Sequence, residues 1–260
     1  MSTDDPDVLT RSARPPERTE VTGPEQSDVY DVWEPVADRP ARGLTVALVH
    51  GGFWRAKYDR THLAPLAEAL AADGFHVANL EYARVGMPGG GWPGTADSVR
   101  AGLAAVLADD KLPDRVLVVG HSAGGHLALV LGSDEEAVAG LVGVVALAPA
   151  APLSELHRLG TSNDAAREFV GRTPDEDPQS WADADPTGRR LRTATVVITG
   201  GRDDEVPAAV TTAYRESRTD DEPVTFSDLE AADHYDLIDP DHMAYLTLLA
   251  HLEGLALDLG

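Results

Sequence analysis

Residues 116–125 read VLVVGHSAGG, and no other stretch of the 260-residue chain restricts the fold so strongly. A continuous apolar run rich in β-branched residues suits a strand buried on both faces of a parallel sheet. The run leads into Gly120, Ser122 and Gly124, a G-x-S-x-G arrangement, and the residues that follow, AGGHLALVL, begin a helix. A serine set between glycines at a strand-to-helix turn is the pattern of a nucleophile elbow. The turn is tight, and side chains on the flanking positions would clash. A glycine-rich turn without chemistry is the plainer reading of the bare motif, and its strand–helix context argues against that.

The rest of the chain repeats the same alternation. Short apolar runs at 44–49, 75–80, 141–147 and 195–198 predict further interior strands, and 29–33 and 224–229 predict strands nearer the edge. Helical spacing covers 63–72, 95–108, 124–131, 208–215 and 243–257. Strands alternating with helices give an α/β sheet covered on both faces. Residues 1–27 are polar and aperiodic and read as a flexible or loosely docked leader, with a single domain over 28–260. Residues 150–190 break the rhythm and are expected to form a small cap-like insertion over the C-terminal edge of the sheet.

Composition narrows the function. The chain has no cysteine, which excludes disulfides, thiolate metal sites and a cysteine nucleophile. Its net charge of −23 argues against nucleic acid or an anionic membrane as partner. The N-terminus has no apolar core of a secretory signal, and a cytoplasmic location is the expectation. An acidic cluster of Asp236, Asp239, Asp241 and His242 lacks a metal-ligand spacing such as H-E-x-x-H, so no metal is expected.

Three other segments complete the chemistry an elbow serine needs. HGGFW, at 50–54, directly follows the strand at 44–49. Acyl transfer requires donors aimed at the developing oxyanion. The backbone N–H of Ala123, after the nucleophile, and those of Gly52 and Phe53 are the candidates. His50 itself reads as a residue that stiffens the loop. GGRDDEVP, at 200–207, follows the strand at 195–198 and offers two carboxylates, Asp203 and Asp204, to orient a histidine. Asp203 has the better register, and an N-cap role suits Asp204 or Glu205. Among nine histidines, His242 and His251 fall on the last helix, His121 flanks the nucleophile and His126 lies on the next helix. Only His234 occupies a loop after the last strand, so it is the candidate base. The order Ser122, Asp203, His234 is the Ser…Asp/Glu…His order of this fold.

HGGFW paired with GHSAGG, then GRDDEVP and DHYDLIDP, resembles the small α/β-hydrolase esterases related to kynurenine formamidase, over about residues 28–255. The loop GGGWPGT at 89–95 is similar as well. The sequence departs from that family in carrying Tyr235 for a phenylalanine and Asp233 for a glycine beside His234. The resemblance implies an α/β-hydrolase fold: a mostly parallel central sheet, helices on both faces and a small cap excursion. It implies a serine hydrolase that needs no cofactor. The first expectation is a carboxylesterase acting on small esters. The second is an arylformamidase, and the third a binding protein that kept the fold without the chemistry. Phe53, Trp54 and Trp92 are expected to put aromatic surface beside the site, with His121 in the same pocket. The expected partner is a small-molecule ester or amide, with a homodimer left open.

Overall fold

The computed structural model describes residues 7–37, 39–134 and 138–257. The strands are β1 (Arg18–Val21), β2 (Val29–Trp33), β3 (Thr45–Val49), β4 (His76–Leu80), β5 (Val116–His121), β6 (Leu141–Leu147), β7 (Thr195–Gly200) and β8 (Val224–Leu229). They form one eight-stranded sheet in the order β1-β2-β4-β3-β5-β6-β7-β8. The β1–β2 and β2–β4 pairs are antiparallel, and every pair from β4 to β8 is parallel. All residues of β3 and β5 are buried, as expected of strands covered on both faces. Val49 lies opposite both Leu80 and Gly120, and Gly200 lies opposite Leu229. The loops leaving β3 and β5 therefore emerge side by side, and those leaving β7 and β8 do the same. In open parallel sheets this rim of strand C-termini is where ligands bind.

Alternation along the strands divides the core into layers. Ala47 and Val49 face a layer that includes Val99 and Leu103 of α3 (Gly94–Leu107) and Leu127 of α4 (Ala123–Gly132). Val46 and Leu48 face the opposite layer, with Leu66 and Leu70 of α2 (Ala64–Ala72) and Leu248 and Leu252 of α9 (Ala244–Leu257). The α/β-hydrolase arrangement expected from the sequence is the one found. Among the described residues no helix is long and apolar enough to cross a membrane.

Two segments differ from the sequence reading. From Asp7 onward the leader is built structure: α1 (Asp7–Thr10) buries Val8, and β1 pairs in full register with β2. Residues 1–6 of the expected leader lie outside the described residues. β1 carries no apolar signature in the sequence because it is a short edge strand with polar residues on its half-buried face, and Val21 is exposed. Residues 150–190 fold as α5 (Leu153–Leu159), α6 (Thr161–Val170) and α7 (Pro178–Ala184), which bring Leu156, Phe169 and Trp181 into the α3–α4 layer. α8 (Ala208–Glu216) packs Tyr214 beside Leu129 of α4 and Val197 of β7.

Candidate active site

Ser122 stands between β5 and α4 with φ 57° and ψ −117°, a conformation that L-residues seldom adopt. The surrounding backbone holds it there. Its N–H donates to the Leu147 carbonyl at 2.8 Å, and its carbonyl accepts from the N–H groups of His126 and Ala150, both at 3.0 Å. The flanking glycines are required by space. A Cβ on Gly120 would overlap the Gly124 carbonyl, and one on Gly124 would overlap the carbonyls of Val49 and His50. Ala123 opens α4, so the helix supplies its N–H with no acceptor.

The loop after β3 lies directly on this serine. A Cβ on Gly51 would sit 3.0 Å from that of Ser122. Gly52, Phe53 and Trp54 then run consecutively in positive φ, at 108°, 51° and 57°. A buried polar assembly fixes the loop from behind. His50 hydrogen-bonds through Nδ1 to the Gly51 carbonyl at 2.8 Å and through Nε2 to the Glu81 carboxylate at 2.9 Å. The Tyr82 hydroxyl donates to the His50 carbonyl at 2.8 Å, and its ring stacks on the imidazole at 4.3 Å. Glu81 also accepts the Tyr82 N–H and pairs with Arg84 at 3.1 Å. Burial opposes ionisation of this carboxyl, but the hydrogen bond from His50 and the charges of His50 and Arg84 prevail and hold its pKa below the ordinary value.

Asp203 and His234 meet across the rim from the ends of β7 and β8. His234 Nδ1 donates to Asp203 Oδ2 at 2.7 Å, and both side chains are 5% exposed. The second carboxylate oxygen is also committed, accepting the N–H groups of Glu205 at 2.9 Å and Val206 at 2.7 Å. With Nδ1 as the donor, a neutral His234 carries its lone pair on Nε2. Asp204 is exposed and takes no part. Asp233, the departure noted beside His234, turns to its own loop and accepts the N–H groups of Tyr235 and Asp236.

A cavity of about 270 Å³ has Ser122, His234, Gly52, Phe53 and His121 in its wall. Tyr58, His62, Glu205, Tyr235 and Leu9 share that wall, and the sequence singled out none of them for it. His121 is fully buried, and burial pushes its pKa well below the ordinary value. Its Nε2–H donates to the His234 carbonyl at 3.0 Å, which braces the loop of the candidate base. His62 is pushed down to about 3, by burial first and then by the neighbouring His50. Both rings are therefore uncharged at neutral pH.

Two pocket expectations are corrected. Trp54 is fully buried, stacked on Phe169 at 4.6 Å in the α3–α4 layer, and is not in the cavity wall. Trp92 packs beside the same Phe169, to whose carbonyl its backbone N–H donates at 2.9 Å, and it too lies outside that wall. Of the two aromatics in HGGFW, only Phe53 reaches the cavity. The left-handed run at 52–54 sends successive side chains to different places, which a motif cannot disclose. The signal that could have found Glu81 was its position, an acidic residue directly after the C-terminal end of an interior strand.

Solved structures share this architecture. A truncated carbohydrate esterase from gut microbiota aligns with a TM-score of 0.76 at 16% identity, over 93% of this chain and 99% of its own. Esterase B from Lactobacillus rhamnosis aligns with a TM-score of 0.76 at 19% identity, over 95% and 89%. A thermophilic esterase from the planctomycete Thermogutta terrifontis aligns with a TM-score of 0.71 at 19% identity, over 97% of both chains. At such identities the likeness is one of fold. A search of curated proteins found no match. The BD-FAE family model matches residues 30–218, a span that holds the β3 loop, the elbow and Asp203. The chain thus belongs to the BD-FAE family, an esterase family of the α/β-hydrolase type.

Proposed function

We propose that this protein is a serine hydrolase that cleaves small carboxylic esters through an acyl-enzyme. Ser122 Oγ attacks the ester carbonyl carbon while His234 Nε2 takes the hydroxyl proton. The negative charge that develops on the carbonyl oxygen is met by the N–H groups of Ala123, Gly52 and Phe53. Collapse of that intermediate breaks the bond to the alcohol, which leaves with the proton from His234. Water, deprotonated by the same histidine, then releases the acid and restores the serine. Asp203 keeps the imidazole in the tautomer this requires. The observation that carries the proposal is the His234–Asp203 hydrogen bond of 2.7 Å, made by a histidine that shares a cavity wall with the elbow serine.

Membership of an esterase family puts esters first. The second reading is cleavage of an N-formyl aromatic amide, which the aromatic walls Phe53, Tyr58 and Tyr235 favour. A cavity of about 270 Å³ favours short groups over long lipid chains. We expect p-nitrophenyl acetate to butyrate to be hydrolysed faster than the palmitate ester. A palmitate preference would refute the small-ester reading, and a formamide kcat/KM above the best ester would put N-formylkynurenine-like amides first. A serine-directed phosphonate should label Ser122 alone, as read by peptide mass spectrometry, and His234→Ala should suppress the label. Without labelling or turnover, the binding-protein reading would replace the enzyme.

A further inference from the structure

The first twenty residues contain a single adjacent pair of large apolar side chains, Val8 and Leu9, in an otherwise polar stretch. Val8 is buried in the layer of α2 and α9, while Leu9, partly buried against the same layer, also stands in the wall of the cavity that holds Ser122 and His234. Two residues on, Arg11 clasps the far end of the chain. Its Nη1 donates to Asp239 Oδ1 at 2.7 Å and to Asp241 Oδ2 at 2.9 Å, and its Nη2 donates to Asp239 Oδ2 at 3.0 Å. A two-pronged guanidinium–carboxylate pair fixes orientation as well as distance. Asp239 ends the short turn Asp236–Ile238 that follows His234, so the clasp ties the N-terminal segment to the loop of the candidate base. The turn Arg60–Leu63, against which α1 packs, contributes His62 to the same wall.

Resting on the ester-hydrolase reading, we propose that Leu9 is a specificity-determining residue that closes one end of the substrate cavity, and that Arg11 positions it. An apolar stop at the cavity's end limits how long a hydrocarbon group can lie there with its chain out of water. Leu9→Ala should lengthen that space, and Leu9→Phe should shorten it. Arg11→Ala, which releases the segment without touching the cavity, should act in the same direction as Leu9→Ala.

The test uses two readouts on the full-length protein. In hydrolysis, the kcat/KM ratio of octanoate to acetate p-nitrophenyl esters should rise about tenfold in Leu9→Ala, the worth of two newly buried methylenes, and fall in Leu9→Phe. In binding, calorimetry with neutral methyl ketones of four to ten carbons needs no turnover, and the preferred length should move the same way in the two variants. A length profile that is the same in folded Leu9→Ala, Leu9→Phe and wild-type protein would overturn the proposal. Failure of the hydrolase reading would show differently, as absent turnover and absent Ser122 labelling in the wild type, and the ketone series would still decide the role of Leu9.

Discussion

Ser122→Ala is expected to lower the turnover of a short aryl ester by about 10⁶-fold, the loss seen when the nucleophile of a serine triad is removed. The residual rate would come from the oxyanion donors and from binding, which the substitution leaves in place. Ser122 is 2% exposed, and alanine keeps the Cβ that packs near Gly51, so the fold around the elbow should persist. Steady-state kinetics beside a thermal melt separate the two quantities. A folded alanine variant that keeps a tenth of the wild-type rate would refute Ser122 as nucleophile.

Asp203→Asn is the second large effect, with an expected loss near 10⁴ in kcat. The reason lies in the double duty of this carboxylate. One oxygen accepts from His234 and the other from two backbone N–H groups. An amide can keep only one oxygen. If that oxygen stays with Glu205 and Val206, an NH₂ group faces His234 Nδ1 and drives the ring proton to Nε2, where a base must have a lone pair. If the amide turns over, the NH₂ group confronts two backbone donors and the turn opens. Asp204→Asn, one residue away and exposed, should stay close to wild type. Equal losses at the two positions would contradict the assignment of Asp203.

The interior of this fold was legible because its physics is simple. Strands such as β3 and β5 are buried on both faces, so they appear as unbroken apolar runs, and Leu141–Leu147 and Val224–Leu229 were read to the residue. The residues of the candidate site followed from motifs tied to strand ends, since the fold puts those ends on one rim. What stayed hidden depends on packing between distant segments. β1 and α1 are only four residues each, and their place is set by pairing with β2 and by the Arg11 clasp. Helices α5 to α7 carry enough Asp, Ser and Pro to break the strand–helix rhythm, yet Phe169 and Trp181 anchor them in the core. Trp54 was expected in the pocket because it follows Phe53, but adjacent residues in left-handed backbone need not share a direction. The wall residues Tyr58, Glu205 and Tyr235 come from separate loops, and it is the folding of those loops that turns their side chains to one cavity.

The backbone of Ser122 sets chemistry against durability. Holding a non-glycine residue in so sparsely populated a conformation costs about 1–3 kcal/mol, met by the hydrogen bonds and packing around the elbow. Glycine visits positive φ freely, although its greater freedom in the unfolded chain gives back about 0.5–1 kcal/mol. Ser122→Gly should therefore melt higher than Ser122→Ala, which keeps the strained Cβ, by a few degrees for a domain of this size at roughly 2–4 °C per kcal/mol. A melt in which alanine is the more stable of the two would show that the elbow is relaxed. With the expected order, the variant that relieves the elbow's strain would be one that cannot carry the proposed chemistry. A serine in this backbone would then hold its place at a standing thermodynamic disadvantage, the trade expected where activity needs a strained site.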